Sequence, residues 1–176
     1  MKYSLTSETK TIGEVTLFRI RAEKDIPNIY VTKGDLGGWI AKAENLSQEG
    51  DAWVFDNAQV FGNAQVFGEA QVFGNAQVSD KAQVYGSAQV YGNAWVLDNA
   101  QVCGSAQVYG NAWVFDNAQV CGSAQVYGNA WVYGNAGIYD EARVYDEAQV
   151  YGEAWVSNKA QVCGSAQVCG SAQVSG

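Results

Sequence analysis

The sequence predicts an all-β fold, a parallel solenoid of short strands wound into a three-sided prism with a small β cap at its N-terminus. Three observations predict it. From Ala52 onward the chain repeats the pattern A-[Q/W]-V-x-[G/D]-[N/S/E] with few replacements. An aliphatic residue falls every six positions from Val54 to Val174, giving 21 hexads without an insertion and one replacement, Ile138. A second period of 18 lies over the first: residues 90–107 and 108–125 differ only at Leu97 against Phe115.

Each hexad reads as a strand followed by a corner. Within A-x-V the side chains alternate faces, so Ala and Val point one way. The Gln or Trp between them and the residue after Val point the other. The next two residues, G-N, D-N or G-S, tolerate φ > 0 and turn the chain. Three hexads then close one coil, and 21 hexads make about seven coils, roughly 34 Å long at the spacing of stacked strands. A column of Val fills the core. Small Ala beside each corner lets the chain turn without overfilling the interior. The outward Gln and Asn columns are placed to hydrogen-bond from coil to coil.

The segment before the repeat does not follow it. Val15, Leu17, Arg19 and Arg21 alternate with Thr16, Phe18, Ile20 and Ala22 as in a strand, and Ile29–Thr32 reads as a second strand ahead of the turn-like KGDLGG. Ile40 and Leu46 already stand six apart, so the division is a cap at 1–37 and a solenoid at 38–176. A two-residue slip separates Leu46 from Val54. The cap is expected to cover the open end of the prism, which otherwise exposes unpaired backbone.

The V-x-x-x-A-x spacing resembles the hexapeptide-repeat family, and the resemblance covers residues 52–176. It implies a left-handed parallel β-helix, an exception to the usual right-handed crossover; the handedness comes from the resemblance alone. The stretch from Glu8 to Gly62 is also similar to uncharacterised phage and prophage hexapeptide-repeat proteins, which implies a phage or prophage origin.

Composition narrows the function. The net charge is −8, and residues 51–176 carry the whole excess, with Lys81, Arg143 and Lys159 against eleven carboxylates. Such a surface repels phosphate backbones, so no direct nucleic-acid binding is expected, although an acidic rod can itself imitate nucleic acid. The start MKYSLTSETK has no apolar signal region and no long apolar run follows, so the expected location is the cytoplasm, that of the host for a phage protein. No cofactor or metal is expected. There is no histidine, and Cys103, Cys121, Cys163 and Cys169 form no C-x-x-C pair. Cys103 and Cys121 should lie one coil apart, close enough for a disulfide but reduced in a cytoplasm, and Cys163 and Cys169 should not meet.

Sorting outward residues by face gives the candidate sites. The second face carries Trp95, Trp113 and Trp131 in successive coils, flanked by Leu97, Phe115 and Tyr133. Six large side chains on a flat face suit a protein partner, because Trp and Tyr are enriched in binding hot spots. The competing explanation is that the aromatics stabilise neighbouring coils. Sugar binding fits aromatic surfaces, but no Asp/Asn constellation singles it out. The last hexad, SAQVSG, is still in register, so the coil bearing Val162, Val168 and Val174 is expected to pair end to end in a homodimer. Many proteins resembling this one are trimeric acyltransferases that need a His general base and an inserted loop; both are missing from the repeat, so an enzyme is not expected. The leading expectation is a non-catalytic binding protein, with inhibition of host defence as one version. The alternative is a structural or self-assembling module. Ice binding is set aside, because no Thr follows Thr32.

Overall fold

The computed structural model describes all 176 residues, Met1–Gly176. Two-residue rungs stack in parallel, each opposite the rung 18 residues away, as in Trp95↔Trp113 and Val96↔Val114. Three sheets form the three faces. Two contain seven rungs each, running from Trp53–Val54 to Gln161–Val162 on the first face and from Gln65–Val66 to Gln173–Ser175 on the third. The second face continues into the N-terminal region and holds ten strands. Inside, the Ala and Val columns from Ala52 to Val156 are solvent-free and form one continuous core.

The corners turn at one left-handed residue each. Gly fills most of these positions, because a Cβ on Gly110 (φ +72°) would stand 3.0 Å from the backbone nitrogen of Gly128 in the next coil. Asp fills others, among them Asp98 and Asp116 at φ 57° and 58°. Between coils the amide of each outward residue donates to a carbonyl 17 positions on: Trp95 to Ala112 at 2.9 Å, Leu97 to Val114 at 3.0 Å, Asn99 to Asp116 at 2.8 Å. Asn side chains continue the ladder at two corners, from Asn75 through Asn93 and Asn111 to Asn129 and from Asn99 through Asn117 to Asn135.

The N-terminal region differs from its reading in two places. Tyr3–Ile12 is a strand, β1, and forms an antiparallel hairpin with β2, Val15–Ala22. Its Ser- and Thr-rich sequence lacks a clean apolar alternation, which is why periodicity passed over it. Ile29–Thr32 is not a strand. Pro27–Ile29 is a 3-10 turn closed by Tyr30 at φ 56°, and one antiparallel bridge joins Ile26 to Val31. Proline at the first helical position favours the turn, and a stretch of this length gives no room for a ladder.

β3, Leu36–Ile40, joins the cap to the prism. It pairs antiparallel with β2 and in parallel with Gln59–Val60, so the second face has eight parallel rungs, one more than the seven regular coils. The first coil is also two residues longer, with Ile40↔Val60 and Leu46↔Val66 both 20 apart. The two extra residues lie between Leu46 and Val54, and a 3-10 turn at Ala43–Asn45 stands just before them. Buried Asn45 anchors it by donating to the carbonyls of Ala64 and Gly62 at 2.8 and 3.3 Å.

The two ends of the prism are finished differently. At the first coil the buried Lys2 ammonium donates to the carbonyls of Ala52, Gly50 and Glu49 at 2.7, 3.3 and 3.4 Å. The Tyr3 hydroxyl donates to those of Leu46 and Ala43 at 2.7 and 2.9 Å. At the other end, all three sheets stop on an edge rung. The amides of Gln161, Cys163, Gln167, Cys169 and Gln173, which point away from the prism, meet no backbone acceptor.

Candidate functional site

The repeat places each outward residue directly over its counterpart in the next coil, so equal residues become stacks. On the second face Trp95 and Trp113 lie 4.7 Å apart and 7° from parallel, and Trp131 continues the column at 5.8 Å and 26°. In the neighbouring column Phe115 stacks on Tyr133 at 4.9 Å, and Tyr133 on Tyr151 at 4.9 Å. The ring of Trp131 also meets Phe115 edge to face at 6.1 Å, which ties the two columns together. Leu97 begins the second column, half-buried beside Trp95. The structure therefore gathers all six residues chosen from the sequence on one face.

The geometry sharpens what that face offers. Rings stacked in register turn their flat faces to one another, so solvent meets mainly their edges. Trp95 and Trp113 are half-buried, whereas Trp131, tilted at the end of its column, is 42% exposed. Ring edges and hydroxyl tips suit a flat protein surface; a sugar ring needs an open aromatic face, which the middle of a stack lacks. A fourth tryptophan lies further along the same face, separated from Trp95 by Gln59 and Gln77. Trp39 on β3 stands in the same outward column, buried under Lys10 and Arg19, whose charged groups lie 4.6 and 5.2 Å from its ring. Its place just before Ile40 is the signal, equivalent to that of Trp95 before Val96.

The first face holds the longest column, Phe73, Tyr91, Tyr109, Tyr127 and Tyr145, with ring centroids 4.7–5.0 Å apart. Burial raises the pKa values of Tyr91 and Tyr109 above the ordinary phenol value. On the third face Phe67 stacks on Tyr85, and Cys103 and Cys121 follow. These two are joined in a disulfide, which corrects the expectation of reduced thiols. The cause is the coil itself: residues 18 apart are brought to a Cα–Cα distance of 4.6 Å. Cys163 and Cys169 are free and exposed on the last coil. At that coil Val162 is covered, while Val168 and Val174 are only partly so.

The third face also contains a hollow that the sequence did not single out. It measures about 390 Å³ and is lined by Asn135, Glu153, Trp155, Ser171 and Gln173. Trp155 is 52% exposed. No helix in the chain is long and apolar enough to cross a membrane.

The family model described as YdcK beta solenoid repeat matches residues 70–86, 88–104, 106–122 and 124–140. Each match spans 17 residues and successive matches start 18 apart, so the family unit coincides with one coil of the prism. No curated protein matches the chain. The matched coils and the three stacked sheets make the chain a β-helix repeat protein, similar in its central coils to the YdcK solenoid.

Proposed function

We propose that this chain is a non-catalytic binding protein of the hexapeptide-repeat type, of phage or prophage origin, that docks a protein partner on its second face in the host cytoplasm. Inhibition of a host defence protein is the role we assign to that docking. One observation carries the reading: Trp95, Trp113, Trp131, Leu97, Phe115 and Tyr133 form two adjoining columns on a single flat face, with the Trp131 ring exposed at their end. The ladder supports it further, because a surface locked by stacking and by coil-to-coil hydrogen bonds loses little entropy on binding. The acidic prism favours a partner with a basic surface over nucleic acid.

A second reading, a self-assembling structural module, draws on the unpaired edge of the last coil. Replacing Trp95, Trp113 and Trp131 together by Ser separates the two. The docking reading expects the variant to keep its β-type circular dichroism and to lose every partner that wild type retains from host lysate. Unfolding of the variant, or unchanged capture, would show that the columns serve the fold alone.

A further inference from the structure

The hollow around Trp155 is where the repeat breaks most. Gly137 is the one glycine in the outward column before the aliphatic residue, Ile138 the one replacement in the core column, and Trp155 the one tryptophan on the third face. These three belong to neighbouring rungs, with Gly137 opposite Trp155 and Ile138 opposite Val156. A Cβ at Gly137 would stand only 2.3 Å from the ring of Tyr139, so glycine there lets that ring fold inward. Tyr139 is fixed by donating its hydroxyl to Gln119 at 3.0 Å, and its ring meets Trp155 at 65° with centroids 5.7 Å apart. The indole is thus propped from one side and has no parallel ring covering it.

The polar groups around it are free. The Asn ladder ends at Asn135, which accepts from Asn117 and does not pass a bond on to Glu153. Glu153, Ser171 and Gln173 line the same hollow with no side-chain hydrogen bond or ion pair of their own. An open indole beside a carboxylate, ringed by oxygens that accept hydrogen bonds, is complementary to a planar cation with many N–H donors. Guanidinium matches this better than ammonium, since it can lie flat on the ring while donating at its edge.

We propose that the Trp155 hollow binds the guanidinium group of an arginine side chain, with Trp155 as the platform and Glu153 as the counter-charge. This deepens the protein-docking reading by naming a group that the partner supplies, and rests on it. The test needs no partner. The full chain, labelled with ¹⁵N, is titrated with argininamide at constant ionic strength, beside parallel titrations with sodium chloride and with N-acetylglucosamine. The expected result is a saturable shift of the Trp155 indole and of the amides of Glu153, Ser171 and Gln173. Glu153→Gln should weaken it about three- to fivefold, and Trp155→Leu should abolish it at those amides. An equal response to sodium chloride, a larger saturable response to the sugar, or an unchanged affinity in Glu153→Gln would overturn the proposal. The remaining amide resonances report whether each variant keeps the wild-type fold. A failure here leaves the test of Trp95, Trp113 and Trp131 unaffected, so the two readings fall separately.

Discussion

Asp98 and Asp116 show how much one residue does at a corner. Both adopt the left-handed conformation that most side chains avoid. Each also reaches one coil onward: Asp98 accepts from the amide of Asp116 at 3.2 Å, and Asp116 from that of Gly134 at 3.0 Å. Asp56, Asp140 and Asp146 accept in the same way from Gly74, Asn158 and Gly164. Carboxylates at the corners therefore cap amides that the rungs leave unpaired. The D-N pair was legible as a turn, but a bond to a residue 18 positions away was not, because turn propensity is a local property. Asp116→Ala loses both the cap and the tolerance for positive φ, and should cost about 1–2 kcal/mol in urea unfolding. Asp116→Gly loses only the cap and should cost about half as much. Equal losses in the two variants would remove the conformational part of this account.

The column is the next scale, and its rings set a pH dependence. Burial holds the Tyr91, Tyr109 and Tyr139 hydroxyls above the ordinary value of 10, and burial pushes Tyr3 up to about 12. Tyr145 and Tyr151 are raised too, first by contact with Cys163 and Cys169. An unfolded chain releases these protons near pH 10, whereas the folded chain retains them until higher pH. Stability from these groups is therefore complete below pH 10 and is lost as pH climbs through the raised values. Lys2 has the opposite sign: burial lowers it to about 8 from 10.5, so its contribution improves between those values. The urea midpoint is expected to rise modestly from pH 8 to 10 and to fall beyond 10. Ionisation of Tyr91, Tyr109 and Tyr139 should appear together with the loss of β-type circular dichroism. Ionisation of Tyr91, Tyr109 or Tyr139 near pH 10 in an intact prism, followed ring by ring by NMR, would contradict this.

For the whole molecule, the two ends of the prism differ. The first coil is closed by β1, β2, Lys2 and Tyr3, so a second prism cannot add there head to tail. The coil of Val162, Val168 and Val174 presents open edges on all three faces. Were two such edges to pair tail to tail, the contact would be isologous and would close on itself at a dimer rather than a fibre. On that end-to-end proposal, light scattering at about 50 μM, a concentration suited to contacts of micromolar affinity, should give the mass of a dimer. Gln167→Pro with Gln173→Pro, which removes two of the edge amides, should give a monomer that keeps its β-type circular dichroism. A strict monomer for the wild type would rule the contact out.

By itself the sequence determined the coil, the core and the faces. A period without slips fixes which residue stands over which, so the six aromatic-face residues could be placed from spacing alone. The same spacing brought Cys103 over Cys121, although not their bond. Only the tertiary structure decided how the rings face, what closes the first coil, and where the repeat opens. Stacking turns ring faces inward, so exposure concentrates at Trp131 and Trp155, where columns end or break. Lys2 caps carbonyls some 50 residues away, and the Trp155 hollow draws its lining from three successive coils. Periodicity records which positions are equivalent. Departures from it acquire meaning only when the chain is folded, because the contacts that a changed residue gains or vacates belong to neighbours distant in sequence.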